Sequence, residues 1–96
     1  MGGMLARCEG ASRMLKHLAH PRRLLILCHL SEGEKTVSEL EGLCGVSQSQ
    51  VSQFLGRMRS EGLVAGRRNG HCVVYRIEDG KVLKLIKALH AIFCPR

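Results

Sequence analysis

The sequence predicts a mainly α domain with a small β-hairpin, on three observations. Thr36–Gly62, TVSELEGLCGVSQSQVSQFLGRMRSEG, carries two apolar stripes at helical spacing with a glycine break between them. After Gly62 the pattern changes to two β-type runs, with Asn69-Gly70 between them as a hairpin-turn signal. Lys81–Phe93 then returns to one clean helical stripe. With two helices expected ahead of Thr36, the element order is ααααββα. A helix-turn-helix followed by a basic hairpin and a closing helix is the layout of a winged helix-turn-helix, and one domain over residues 1–96 holds all of it.

Met1 to Gly3 is expected to fray. Met4–Ala19 reads as the first helix, with Leu5, Cys8, Ser12, Leu15 and Leu18 on one side and Met14 beside them; Gly10 weakens the pattern. Pro21 ends it and suits the first position of the next helix. That second helix, Pro21–Leu30, is apolar almost all round and is expected to be buried. Arg22 and Arg23 at its start oppose the helix dipole, so they are expected to face solvent, an acidic partner or DNA phosphate. Ser31–Glu34 is a loop.

Thr36 caps the third helix, and Glu39 completes a capping box. Val37, Leu40, Leu43 and Cys44 form its apolar side before Gly45 breaks it. Ser47 caps the fourth helix, where Val51, Phe54, Leu55 and Met58 make the apolar stripe. The opposite face holds Ser49, Ser52, Gln53, Gly56 and Ser60, flanked by Gln50 and Arg57. Amides and hydroxyls on such a face reach base edges in a major groove, and Arg reaches bases or phosphate. The expected DNA-binding residues are therefore Ser47, Gln48, Ser49, Gln50, Ser52, Gln53 and Arg57. Arg67, Arg68 and His71 join them from the hairpin tip, which can lie along the backbone or in the minor groove.

In the last helix Val82, Leu85, Ile86, Leu89, Ile92 and Phe93 form the stripe, with Leu83 adding to it. Nothing else in the chain covers this stripe except the first helix, so the first and last helices are expected to form a homodimer interface.

Composition agrees. Lys and Arg outnumber Asp and Glu by 15 to 8, a net charge of +7 that favours a polyanionic partner such as double-stranded DNA. No apolar run is long enough to span a bilayer, and Met1-Gly2-Gly3-Met4 lacks the apolar region of a signal peptide, so a cytoplasmic location is expected. Five cysteines, at positions 8, 28, 44, 72 and 94, contain no C-x-x-C. In a reducing compartment they are thiols, and any disulfide among them is a regulated event. Without a C-x-x-C, a Gly-rich phosphate loop or a Cys/His/Asp constellation, the chain is not expected to be an enzyme.

The segments HPRRLLILCHLSEGE, VSELEGLCGVSQSQVSQFLGRMRSEGLV and VVYRI resemble the ArsR/SmtB family of bacterial repressors, over a span from about Leu15 to Pro95. The resemblance implies a homodimer that binds an imperfect inverted-repeat operator until an inducer weakens the complex. Many metal sensors of that family carry a C-x-C in the third helix, where this chain has ELEGLC with one Cys. Others use spaced Asp and His ligands on the last helix, where this chain offers Asp79 and His90 but also Lys81 and Ile92. No metal site and no cofactor is therefore expected.

The chain is more similar to the branch that senses reactive sulfur, typified by BigR, SqrR and HlyU. That branch carries one Cys in the second helix, here Arg23-Leu24-Leu25-Ile26-Leu27-Cys28, and one ending the last helix, here Leu89-His90-Ala91-Ile92-Phe93-Cys94. The resemblance implies that Cys28 and Cys94 are bridged by a disulfide or short polysulfide when persulfides arrive, and that sulfide-detoxification or biofilm genes are controlled. Phe93 replaces the usual Tyr, Phe54 replaces a common His, and His71 stands where relatives often have Gln. Cys8 and Cys44 are expected to pack and Cys72 to sit in a strand. The rival readings are a metal-responsive repressor of the same family and a winged-helix protein without effector.

Overall fold

The computed structural model describes residues 3–94. Its elements are α1 (Gly3–Leu18), α2 (Pro21–Leu30), β1 (Lys35–Thr36), α3 (Val37–Cys44), α4 (Gln48–Ser60), β2 (Val64–Asn69), β3 (Cys72–Ile77) and α5 (Gly80–Phe93). The expected fraying of Met1 and Gly2 lies outside the described residues, whereas Gly3 already belongs to α1. The winged helix-turn-helix is present with one correction. The hairpin is part of a three-stranded antiparallel sheet of order β1-β3-β2. The stretch read as loop gives way to β1, whose Lys35 and Thr36 pair with Tyr75 and Val74. Two residues cannot display an alternation, so only their pairing with β3 defines them as a strand.

The local signals that set the helix-turn-helix act as expected. The Thr36 hydroxyl accepts from the Glu39 N–H at 3.1 Å, and the Thr36 N–H donates to the Glu39 carboxylate at 2.9 Å. Gly45 ends α3 in the left-handed region at φ 65°, which an L side chain resists. The Ser47 hydroxyl accepts from the Gln50 N–H and starts α4. At the hairpin, Asn69 pairs with Cys72, so the two-residue loop is Gly70-His71 rather than Asn69-Gly70. Only Gly70 takes a positive φ, 67°, which matches a turn with glycine at its first central position.

One core joins these elements. Ile26 and Leu27 of α2, Leu40 of α3, Val51, Leu55 and Met58 of α4, and Val82 and Ile86 of α5 are all 0% exposed. The apolar stripe of α4 thus faces inward and its polar face outward. Helix α2 is less enclosed than its composition suggested: Leu24 and Cys28 are half-buried and Leu25 is exposed. The reason is its position between the core on one side and only the end of α5 on another.

Arg23 overturns its expected outward placement. It is buried, donates to the Glu61 carboxylate at 2.8 and 3.4 Å, and donates to the His17 carbonyl at 3.0 Å. His17 Nδ1 also lies 3.4 Å from Glu61. This cluster ties the end of α1 and the start of α2 to the residue that terminates α4. A charge opposed by the helix dipole is accepted there because a carboxylate from elsewhere in the fold neutralises it.

Helix α1 is held differently. Of its residues only Leu18 is buried, while Met4, Leu5 and Leu15 are exposed. Cys8, expected to pack, is exposed too. At the far end of the chain, Ile92 and Phe93 of α5 are exposed as well. Among the described residues, no helix is long and apolar enough to cross a membrane.

Candidate nucleic-acid interface and thiol cavity

Helix α4 presents Gln48, Ser49, Gln50, Ser52, Gln53 and Arg57 to solvent on one continuous side. Ser52, Gln53, Phe54, Gly56, Arg57 and Ser60 line a shallow hollow along it. The hollow exists because Gly56 puts no side chain between the polar residues. Ser47 stands apart, because its hydroxyl already accepts from the Gln50 N–H as the helix cap. Phe54, which stands on the apolar stripe where relatives often have His, is half-buried with its ring centroid 5.1 Å from that of His20.

The wing carries Arg67 and Arg68 on β2 and His71 in the turn, all exposed. Arg67 is engaged within the fold. It donates to Glu34 at 3.1 and 3.2 Å, and those hydrogen bonds hold the Glu34 carboxyl below its ordinary range. Arg68 and His71 have no such tether among the described residues. A second basic surface was not anticipated: Lys16, His17, His20 and Arg57 meet Phe54 and Glu61 around a hollow beside α4. No local pattern announces it, because its members come from α1, the α1–α2 corner and α4.

The two sensor candidates lie together. Leu24 and Cys28 of α2 and Leu89, His90, Phe93 and Cys94 at the end of α5 line one cavity of about 230 Å³. Cys28 is half-buried there and Cys94 is exposed at its mouth. Burial, the neighbouring Cys94 and then Glu32 push the Cys28 thiol up from its ordinary value. Cys44 is also pushed up by burial and packs against the core, Cys72 sits exposed in β3, and Cys8 is remote on α1. Among the described residues no three His, Cys, Asp or Glu side chains converge to hold a metal ion.

An alkylating agent should therefore rank the thiols at pH 7, because the thiolate is the reacting form. Cys28 is expected to label more slowly than exposed Cys8 and Cys72. A raised thiol pKa keeps the proton on at neutral pH, so the gap should narrow as pH rises towards 10. Peptide mass spectrometry of a timed alkylation reads this directly, and equal rates for Cys28 and Cys8 at pH 7 would contradict the placement.

A core-facing α4 stripe, an exposed polar and basic α4 face, and a basic wing define a winged helix-turn-helix regulatory protein. The comparisons agree. The bacterial regulatory protein family arsR matches residues 20–65. The biofilm growth-associated repressor of Xylella fastidiosa (strain Temecula1 / ATCC 700964) is 43% identical over 97% of this chain and 82% of its own length. The structure of reduced HlyU from Vibrio cholerae N16961 matches with a TM-score of 0.89 and 36% identity, over 98% of this chain and 99% of that one. The homodimeric winged helix-turn-helix DNA-binding domain Mb0332 from Mycobacterium bovis matches with a TM-score of 0.76 and 32% identity, over 93% and 82% of the two chains. The chain belongs to the arsR family of bacterial regulatory proteins, in the branch that holds the biofilm repressor and HlyU, and it is a transcriptional regulator rather than an enzyme.

Proposed function

We propose that this chain is a homodimeric transcriptional repressor that binds an inverted-repeat operator while Cys28 and Cys94 are reduced, and releases it when reactive sulfur species bridge them. The observation that carries the reading is the shared cavity. Two cysteines 66 positions apart in the chain line one apolar hollow, whereas Cys8, Cys44 and Cys72 lie elsewhere. The dimer is supported by the homodimeric relative and by the uncovered apolar residues of α1 and α5. A thiol-dependent switch is in keeping with a relative whose structure was determined as its reduced form.

The chemistry is a sulfur transfer followed by an exchange. An organic persulfide R–S–SH passes its outer sulfur to one thiol, giving Cys–S–SH and R–SH. The second thiol then attacks the inner sulfur, forming Cys28–S–S–Cys94 and expelling hydrogen sulfide. If both thiols are persulfidated first, the same exchange leaves a trisulfide and one molecule of hydrogen sulfide. Either product locks α2 to the end of α5. Operator half-sites recur at about 34 Å, so a small rotation of two α4 helices forfeits contacts on both half-sites.

Within the complex, Gln48, Gln50, Gln53, Ser49 and Ser52 are the base-edge candidates, with Ser47 near the helix start. Arg57, Arg67, Arg68 and His71 mainly position the protein on the backbone. Arg67 would first have to exchange Glu34 for phosphate. The location follows as cytoplasmic, where the DNA and a reducing pool coincide.

The test is an operator titration of reduced protein, repeated after an organic persulfide, with an intact-mass and peptide-mass readout on the same samples. A peptide pair holding Cys28 and Cys94 should appear in step with loss of operator binding. Release without that pair would refute the dithiol switch and leave the DNA-binding regulator.

A further inference from the structure

The corner between α1 and α2 carries positive charge that the fold leaves unbalanced. Lys16 near the end of α1, His20 just ahead of α2 and Arg57 of α4 line the hollow beside α4, over Phe54. Glu61 is the carboxylate of that hollow, and it is already engaged. Buried Arg23 donates to it at 2.8 and 3.4 Å, and His17 Nδ1 lies 3.4 Å away. Lys16 and Arg57 are exposed and make no ion pair among the described residues. Arg22 stands exposed two positions beyond His20. The wing differs, because there Glu34 occupies Arg67.

His20 is held in place. Its Nδ1 accepts from the Arg22 N–H at 3.2 Å as the cap of α2, and its ring packs 5.1 Å from that of Phe54. An imidazole that accepts through Nδ1 carries its hydrogen on Nε2, so the far side of the ring is a donor. The corner is also continuous with the exposed α4 face, since Phe54 and Arg57 line both the hollow along α4 and the hollow at the corner. A helix with its side chains is about 10–12 Å across and a major groove about 12 Å wide, so α4 fills the groove it enters. Groups that flank such a helix meet the phosphates bordering the groove.

We propose that the α1–α2 corner is a second DNA-contact surface, in which Lys16, His20 and Arg57 hold one backbone phosphate beside the groove that α4 enters. This rests on the operator-binding reading above and is independent of the dithiol switch. Lys16 and Arg57 supply charge, and His20 supplies a directed N–H. The contact carries no sequence information; it fixes where α4 sits, and the α4 amides and hydroxyls then read the bases. A homodimer repeats it on each half-site.

Each phosphate neutralised by a cationic side chain releases counterions, so the logarithm of the affinity falls with that of salt by about 0.9 per contact. The experiment titrates the whole reduced protein with an inverted-repeat operator and with an unrelated duplex of equal length, from about 50 to 200 mM salt. The variants are Lys16→Gln and His20→Asn, the second chosen because Asn keeps the helix cap. Lys84→Gln, exposed on α5, removes the same charge away from the corner. Lys16→Gln should weaken both duplexes by a common factor and lower the salt slope by about 2, one for each half of the dimer. His20→Asn should weaken both duplexes as well, and Lys84→Gln should match wild type. Ethylation interference locates the contact: in each half-site one backbone position should weaken wild type when ethylated and leave Lys16→Gln unaffected. A Lys16→Gln protein with the affinity and slope of Lys84→Gln, or a His20→Asn protein that binds as wild type, would overturn the contact. So would a lower slope with an unchanged interference pattern, or a loss confined to the operator. If wild-type protein binds neither duplex, the operator-binding reading itself fails.

Discussion

Replacing either Cys28 or Cys94 by Ser is expected to leave operator binding by the reduced protein intact and to abolish release by persulfide. Wild-type affinity should fall on treatment by about 5–150-fold, the usual span of a coupling between two sites in one protein. Both variants should show no fall. Cys94 is exposed, so its replacement has no packing consequence, and surface changes of this kind stay within about 0.5 kcal/mol. Cys28 is half-buried on α2, where a Ser hydroxyl can donate to the carbonyl one turn back instead of being left unpaired. The Cys8, Cys44 and Cys72 variants serve as controls and should still be released. Operator titrations of wild type and all five variants, with and without persulfide, are the measurement. Release of the Cys28→Ser or Cys94→Ser protein with wild-type sensitivity would show that the bridge is not the signal.

The second large effect concerns the first helix. A double variant, Leu5→Glu with Leu15→Glu, is expected to be monomeric and to lose operator affinity by about 10²–10⁴-fold, the factor that joining two binding modules supplies. Leu5 is 67% and Leu15 52% exposed in the single chain, while Leu18 alone among the α1 residues is buried. Helical stability in proteins comes mostly from packing of an apolar face, and α1 has only Leu18 buried, so it needs a further surface to cover its leucines. Ile92 and Phe93 of α5 leave a second apolar surface uncovered. A second copy meets both needs at once, and carboxylates in the middle of that contact would have to be desolvated without partners. Sedimentation with an operator titration measures both consequences. A variant that remains dimeric and binds as wild type would move the interface away from α1.

Much of this molecule was legible because its signals are local. A capping box, a glycine in the left-handed region and two apolar stripes each depend on residues within a few positions of one another. Thr36, Glu39, Gly45, Ser47 and the α4 stripe therefore read correctly from their neighbours alone. Resemblance supplied what local pattern could not, namely the reading of Cys28 and Cys94 as a pair, and the fold sets both on one cavity. The hairpin was visible but its loop was displaced by one residue, because Asn-Gly and Gly-His both suit a tight turn and only the β2–β3 register chooses between them.

Features that depend on distant partners had to wait for the tertiary structure. β1 is a strand only through Tyr75 and Val74. Arg23 is buried because Glu61 comes back to it from the far end of α4, and Arg67 is tethered because Glu34 lies beside the wing. His90 comes beside the two cysteines only because α2 and the end of α5 close one hollow around them. The order of the elements, the inward and outward faces of α4 and the basic character of its surface were determined by the sequence itself, since hydrophobic periodicity, caps and turn chemistry act over a few residues. Which charges are paired, which thiols share a cavity and which apolar faces stay open were decided by the fold, since long-range packing brings together groups that no spacing along the chain connects.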